Sequence, residues 1–103
     1  TPKPSSAASD VYKRQMFNPQ GTLHGGIITT IMDISMGHLI KNEQSAGTTL
    51  ELKVNFMSAI KHEKIKCIGS FLKKGRTIST LDSKLFREDG KLAAYATSTW
   101  KIL

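Results

Sequence analysis

Hydrophobic and polar positions divide the chain into one helical segment followed by several strands. From Gly25 to Ile40, apolar residues cover most of a helical wheel drawn at about 100° per residue. A helix that is apolar over most of its girth is typical of the interior of a fold, so we expect a sheet to wrap around it. One narrow stripe of the wheel is small or polar instead, and consists of Gly26, Thr29, Thr30, Asp33 and Gly37.

After the linker KNEQSAG the hydrophobic period changes from that of a helix to that of a strand. In TTLELKVNFM every second side chain is apolar, which predicts a first strand. Three further strands are predicted at about 65–72, 77–86 and 92–102, separated by the turns LKKGRT and REDGK. Successive strands joined by short turns indicate an antiparallel meander. A loop, a helix and then four strands predict an α+β domain.

The first 15 residues differ in composition from the rest. TPKPSSAASDVYKRQ contains only Val11 and Tyr12 as large apolar side chains, too few to offset the entropy lost on ordering. We therefore expect residues 1–15 to form a disordered or loosely attached arm and residues 16–103 to form the domain. The stretch SAASDVYKRQ also looks like translated adaptor or read-through sequence, which predicts a non-native arm. A native gene encoding it would contradict that hypothesis.

Length and composition favour a small protein of the cytoplasm. The 103 residues suit one domain, and no uncharged apolar run is long enough to span a membrane. We expect no signal peptide, because the N-terminus has no apolar segment of the required kind. Cys67 is the one cysteine, and its alternation with apolar residues favours a core position over a nucleophile. No His, Cys or Asp cluster has metal-ligand spacing, so we expect no metal.

The net charge of +7 favours anionic partners, although spread charge is often only a solvated face. Nucleic acid is one such partner. Aromatic residues make up 7% of the chain and do not alternate with Lys or Arg in a stacking pattern. We therefore expect no nucleic acid among its partners, while phosphorylated cofactors and acidic surfaces stay open.

Asp33 is the candidate for chemistry, because burying a carboxylate in an apolar helix is costly unless it is paired or used. A structural interpretation pairs it with the hydroxyls of Thr29 or Thr30. A catalytic interpretation uses it as a general base or nucleophile. Gly25 and Gly26 open the same helix, where the absence of side chains permits close approach and the amides can stabilise a developing oxyanion.

The chain from Asn18 to Ile102 resembles the hotdog-fold acyl-CoA thioesterases, in particular the phenylacetate-degradation and 4-hydroxybenzoyl-CoA thioesterase branch. The resemblance is carried by GTLHGG, by Asp33 nine residues after His24, and by TTLELKVNFMSA, KKGRT and DGKLAAYATST. It implies an antiparallel sheet wrapped around one central helix. The implied reaction is hydrolysis of an acyl-CoA or aroyl-CoA, in which CoA is part of the substrate and no separate cofactor is used.

The resemblance also implies roles for single residues. Asp33 matches the catalytic carboxylate, and Gly25 the residue whose amide polarises the thioester carbonyl. His24 matches the histidine of the turn, with a supporting role. Asn18 matches an asparagine that orients the water or the carbonyl. Thr49 matches a residue that holds the water, with the neighbouring Thr48 leaving the register open by one.

In the family the two halves of this set come from different subunits, which implies a homodimer or a dimer of dimers. A basic turn lies near the nucleotide end of CoA, which implies phosphate contacts from Lys73, Lys74, Gly75 and Arg76, with a plain solvated hairpin as the alternative. Lys61, His62 and Lys64 are a secondary addition to that rim.

The chain departs from the family pattern at two places. Its arm stands where relatives have an N-terminal helix, and AIKHEK replaces a Pro-Val and a Gly. The alternative is therefore a non-hydrolytic acyl-CoA-binding protein or an inactive truncated relative.

Overall fold

The structure, a computed structural model, describes residues 6–9 and 21–103 of the chain. The α+β class predicted from the sequence is confirmed, as are the helix and the four predicted strands. The helix continues to Glu43, into the segment predicted as a linker. The elements of the described residues are β1 (Ser6–Ser9), α1 (Gly25–Glu43), β2 (Gly47–Phe56), β3 (Ile65–Lys73), β4 (Ile78–Phe86) and β5 (Leu92–Ile102).

These strands form one antiparallel sheet in the order β1-β3-β4-β5-β2. The strands β3, β4 and β5 are the predicted meander, in which each strand pairs with the next along the chain. The strand β2 precedes them in sequence but pairs with the far side of β5. Within the described residues β2 is therefore an edge strand, and one row of its backbone groups faces away from the sheet.

The strand β1 lies within the predicted arm. Its backbone pairs antiparallel with β3, with Ser6 opposite Ile68 and Ser9 opposite Ile65. Pairing in a sheet uses backbone N–H and C=O groups, which a segment without large apolar side chains also has. The other residues of the predicted arm lie outside the described residues, and the non-native origin of residues 1–15 stays a prediction.

One face of α1 packs on the sheet. Where the helix crosses the sheet the residues are small: a Cβ added at Gly69 would lie 3.2 Å from the backbone oxygen of Ser35. The hydroxyls of Ser35 and Ser83 are 2.9 Å apart at the same crossing. Small residues here let the two backbones approach, and the larger side chains fill the core on either side. The buried residues of the helix are Ile28, Met32, Ser35, Met36, Leu39 and Ile40.

The opposite face of α1 is exposed in the single chain, so this chain's sheet covers one side of the helix. Ile34 is 53% exposed, and Thr30 and His38 are exposed as well. A helical wheel counts apolar positions, but it does not show whether the same chain or another chain covers them. The open face lies on the helix that carries Asp33.

Cys67 lies in the core, which confirms its structural interpretation. It is fully buried, and its Sγ atom is 3.2 Å from the Ser83 hydroxyl.

Among the residues that the structure describes, no three His, Cys, Asp or Glu side chains are grouped in a way that would hold a metal ion. No helix within 21–103 combines the length and apolar character that crossing a membrane requires.

Candidate active site

The first turn of α1 presents free backbone donors. His24 is the N-cap residue, and its carbonyl accepts hydrogen bonds from the amides of Ile27 and Ile28 at 3.0 and 3.1 Å. The His24 side chain is exposed and makes no capping hydrogen bond. Among the described residues, no turn, cap or side-chain acceptor takes the amide of Gly25 or Gly26, and an α-helix supplies none to its first residues. These amides, at the positive end of the helix dipole, can therefore stabilise a negative charge.

A cavity of about 360 Å³ lies beside this helix terminus. Gly25 forms part of its wall, and a Cβ added there would lie 3.2 Å from the Cζ atom of Phe56. Because Gly25 has no side chain, its amide is open to a group that enters the cavity. The wall is mostly apolar, and the side chains that shape it belong to Leu23, Ile28, Phe56, Met57 and Ile60.

Asp33 lies further along the same helix and is held by a strand residue. Its side chain is half-buried, and its Oδ1 atom accepts a hydrogen bond from the Thr49 hydroxyl at 3.0 Å. Thr48 is exposed, since neighbouring residues of a strand point to opposite sides, so Thr49 is the threonine that reaches the carboxylate. Thr29 and Thr30 do not pair with Asp33: their hydroxyls donate to the carbonyls one turn back at 2.8 and 2.9 Å.

Asp33 and the Gly25 amide lie too far apart in one chain to act on one carbonyl group. Eight residues separate them, and helical rise places them about 12 Å apart along the axis. A base and an oxyanion donor must each come within about 3 Å of the reacting group. A base at Asp33 and a donor at Gly25 could therefore not serve the same reacting group within a single chain.

The basic turn lies at the other end of α1. Lys74 is tied to the helix, because its Nζ atom is 3.1 Å from Glu43 Oε1 and 5.4 Å from the centre of the Phe71 ring. Lys73 and Arg76 are exposed, and neither forms an ion pair with any residue of the described part. A Cβ at Gly75 would lie 1.8 Å from the backbone oxygen of Ile78, so the tight turn requires glycine.

The other predicted residues do not join this group. Lys61, His62 and Lys64 precede β3, whereas the basic turn follows it, so about 30 Å of strand separates the two groups. The expectation that they form one rim is therefore wrong for a single chain. Asn18 lies outside the described residues, and its role stays a prediction.

A buried carboxylate that the sequence analysis did not single out is Asp82. It is 6% exposed, and it accepts hydrogen bonds from the Ser70 hydroxyl and, at 2.9 Å, from the Tyr95 hydroxyl. The hydrogen bond to Asp82, with burial and the carboxylate charge, raises the pKa of the Tyr95 phenol. Alternation along β4 places Asp82 on the sheet face away from α1. Both carboxylate oxygens are paired there. Because Asp82 lies on the other face of the sheet from the helix that carries Asp33, it is separate from the candidate site.

Comparison with known sequences and structures identifies the family. The model of the thioesterase superfamily matches residues 20–94. A protein of Saccharolobus solfataricus, whose naming as an esterase is provisional, is 36% identical over 94 residues, covering 89% of this chain and 67% of its own. Mouse acyl-coenzyme A thioesterase 13 is 34% identical over 91 residues, covering 84% of this chain and 65% of its own. The chain thus spans about two thirds of the length of these two relatives.

Solved structures confirm the hotdog fold. A hypothetical thioesterase of Streptococcus pneumoniae, crystallised with coenzyme A, superposes with a TM-score of 0.90 at 24% identity, covering 95% of this chain and 77% of that one. Zebrafish thioesterase superfamily member 2 gives a TM-score of 0.85 at 28% identity, covering 100% and 78%. An E. coli protein from the phenylacetic acid degradation operon gives 0.88 at 14% identity, covering 95% and 71%. From the family match and the shared fold together, this chain belongs to the thioesterase superfamily.

Proposed function

We propose that this protein hydrolyses acyl-CoA or aroyl-CoA thioesters to the free acid and CoA, at sites that two copies of the chain share. The observation that carries the proposal is the position of Asp33. This half-buried carboxylate is held by Thr49 on a helix whose first amides have no partner among the described residues. A base and an oxyanion donor are the two groups that acyl transfer to water needs.

In the proposed reaction the carboxylate of Asp33 removes a proton from a water molecule, or attacks the carbonyl carbon itself. The carbonyl oxygen takes up negative charge beside the Gly25 amide. When the tetrahedral intermediate collapses, the C–S bond breaks and the CoA sulfur leaves as a thiolate. The thiolate takes the proton that Asp33 removed from water or, when the carboxylate itself attacks, a proton from solvent. Attack by water gives the free acid directly, whereas attack by the carboxylate gives an anhydride that water then hydrolyses. The resemblance adds Asn18 as a residue that orients the water or the carbonyl, and His24 in a supporting role.

Two copies of the chain bring the base and the donor together in this proposal. The separation of about 12 Å between the Gly25 amide and Asp33 rules out a complete site within one helix. A second α1 running antiparallel alongside the first would place its own Asp33 opposite Gly25. The exposed apolar side chains of Ile34, Leu50 and Phe56 lie on α1 and on the edge strand β2, where such a copy would cover them. A homodimer is the smallest assembly that meets this requirement, and a dimer of dimers meets it too.

The position of the basic turn suits CoA. Asp33 and Gln44, which contacts Gly75, are 11 residues apart, or about 16 Å by helical rise. The pantetheine arm between the thioester sulfur and the first phosphate has about 13 bonds, equivalent to roughly four extended residues, or about 15 Å. A thioester at Asp33 would therefore bring its phosphates to Arg76 and Lys73. Arg is well suited to bidentate phosphate contacts.

Related structures support the same interpretation. A protein of this fold from Bacillus halodurans has been crystallised with coenzyme A, and one from Streptococcus mutans with acetyl CoA. The Streptococcus pneumoniae protein has been crystallised as an aspartate-to-alanine variant and as a threonine-to-alanine variant. In that chain the aspartate precedes the threonine by 16 positions, the same separation as between Asp33 and Thr49.

Thioester hydrolysis is tested directly by measuring thiol release from a panel of short, long and aromatic acyl-CoA substrates. We expect turnover of at least one class, and the panel also identifies the acyl group. Binding of CoA without hydrolysis of any substrate would contradict the proposal and favour the non-hydrolytic acyl-CoA-binding alternative.

Thr49→Ala is expected to lower kcat about tenfold to a hundredfold, because a hydrogen bond to a charged group contributes about 1.5–3 kcal/mol. Steady-state kinetics of the variant measures this effect. Thr48→Ala is the matched control, because Thr48 is exposed one position earlier and the hydrogen bond to Asp33 comes from Thr49. Equal effects of the two substitutions would show that the hydrogen bond between Thr49 and Asp33 has no part in the reaction.

A further inference from the structure

The C-terminal end of α1 holds the basic turn through one side chain, Gln44. Its Nε2 atom donates to the backbone oxygen of Gly75 at 2.7 Å, and its Oε1 atom accepts from the Ser79 hydroxyl at 2.8 Å. The Ser79 oxygen in turn accepts from the Gly75 amide at 3.0 Å. These hydrogen bonds join the three residues in a closed ring at the base of the turn, and Ser79 is fully buried there.

The neighbouring residue of the helix makes a second link. Glu43 pairs with Lys74 at 3.1 Å, so consecutive residues at the helix end hold consecutive residues of the turn. The main chain on both sides of Gly75 is thereby fixed relative to α1. Lys73 and Arg76 remain exposed, without an ion pair to any described residue. Their cationic groups face solvent, while the main chain of the turn is held in place.

We infer that Gln44 is a positioning residue for the nucleotide phosphates of the substrate, acting through Gly75 and Ser79 on the placement of Arg76. The inference rests on the proposed function, in which this turn binds the phosphates of CoA. Gln44 itself touches no substrate. It shares α1 with Asp33, so the helix fixes the distance between the reacting carboxylate and the phosphate contacts.

Pre-organisation is the physical reason for the effect. An arginine on a mobile turn loses conformational entropy when it binds a phosphate, and a turn fixed in advance avoids that loss. Without the Gln44 bonds, the Gly75 carbonyl loses its 2.7 Å donor and keeps only the longer contact with the Ser79 hydroxyl at 3.3 Å, so we expect the turn to sample more conformations. Binding of the nucleotide part of the substrate weakens as a result, while the chemical step at Asp33 does not change.

The test compares two substrates that share an acyl group, one the full acyl-CoA and the other an acyl-pantetheine that lacks the nucleotide. For Gln44→Ala we expect KM for the acyl-CoA to rise about tenfold, the factor that corresponds to about 1.4 kcal/mol, with kcat within about twofold. KM for the acyl-pantetheine should stay unchanged. Asn42→Ala is the matched control, since Asn42 is an exposed amide in the same last turn of the helix.

Gln44→Glu serves as a second variant of similar volume. It keeps an acceptor for Ser79 but loses the donor to Gly75, so it should show the same pattern if Gln44→Ala does not fold. Equal losses on both substrates, or no change on either, would overturn the inference. The parent protein's turnover of the acyl-CoA tests the proposed function separately. If the parent hydrolyses neither substrate, calorimetric titration with CoA decides: weaker binding by the Gln44 variants supports the inference, and equal binding contradicts it.

Discussion

Asp33→Asn is expected to lower kcat by about a hundredfold to ten-thousandfold, the usual contribution of a positioned general base. Asparagine has nearly the same shape as aspartate, and its amide oxygen can still accept the hydrogen bond from Thr49, so the helix and the strand keep their positions. The amide has no basic oxygen with which to take a proton from water. The loss should therefore appear in kcat, while affinity for CoA changes by less than about twofold.

Steady-state kinetics and calorimetric titration with CoA measure the two quantities. Asp89→Asn is the control, because it makes the same chemical change on an exposed turn. Full activity of the Asp33 variant, with thermal unfolding unchanged, would mean that this carboxylate is a structural partner of Thr49 and takes no part in the reaction.

Gly25→Pro is expected to lower kcat by about a hundredfold to a thousandfold, the usual effect of removing one oxyanion donor. Proline lacks the backbone N–H, and it is well tolerated at the first position of a helix. The residue before a proline must be extended, and His24 already is, with φ −60° and ψ 138°. The Phe56 ring, 3.2 Å from the site of a new Cβ, belongs to a half-exposed side chain that can shift.

This substitution removes the proposed donor and preserves the helix, and circular dichroism checks that the helix remains. Gly26→Ala adds a side chain at the next position without removing an amide, and nothing lies within 4 Å of the added Cβ. It should retain most of the activity. Loss of activity in Gly26→Ala but not in Gly25→Pro would assign the oxyanion to another group.

The strands and the helix were predictable because their hydrophobic periods are local properties of the sequence. The alternation in TTLELKVNFM predicts the strand but not its irregularity: the register shifts between Thr49 and Glu51, so that Thr49 rather than Thr48 shares the partly buried face of Leu52 and Val54 and reaches Asp33. The Cys67 core position follows from the same alternation. The helix, the strands and the core position of Cys67 are determined by residues close together in the sequence, so the sequence alone predicts them.

Other features depend on partners far along the chain and have no local signal. Gln44 contacts Gly75 31 residues away, and its sequence context, KNEQSAG, reads as a linker. Asp82 meets Tyr95 only after β4 and β5 pair. The exposure of Ile34 in the single chain has no signal in the helical wheel either, since the wheel does not distinguish cover by the same chain from cover by a second one.

A mixed dimer of Asp33→Asn and Gly25→Pro chains, isolated with two affinity tags, tests the shared site most directly. If each site combines Gly25 of one copy with Asp33 of the other, the mixed dimer has one intact site and one doubly altered site. Its activity should then be about half that of the parent dimer, although each variant alone is nearly inactive. A mixed dimer as inactive as either variant would contradict the shared site, because a site confined to one chain would be damaged in both copies.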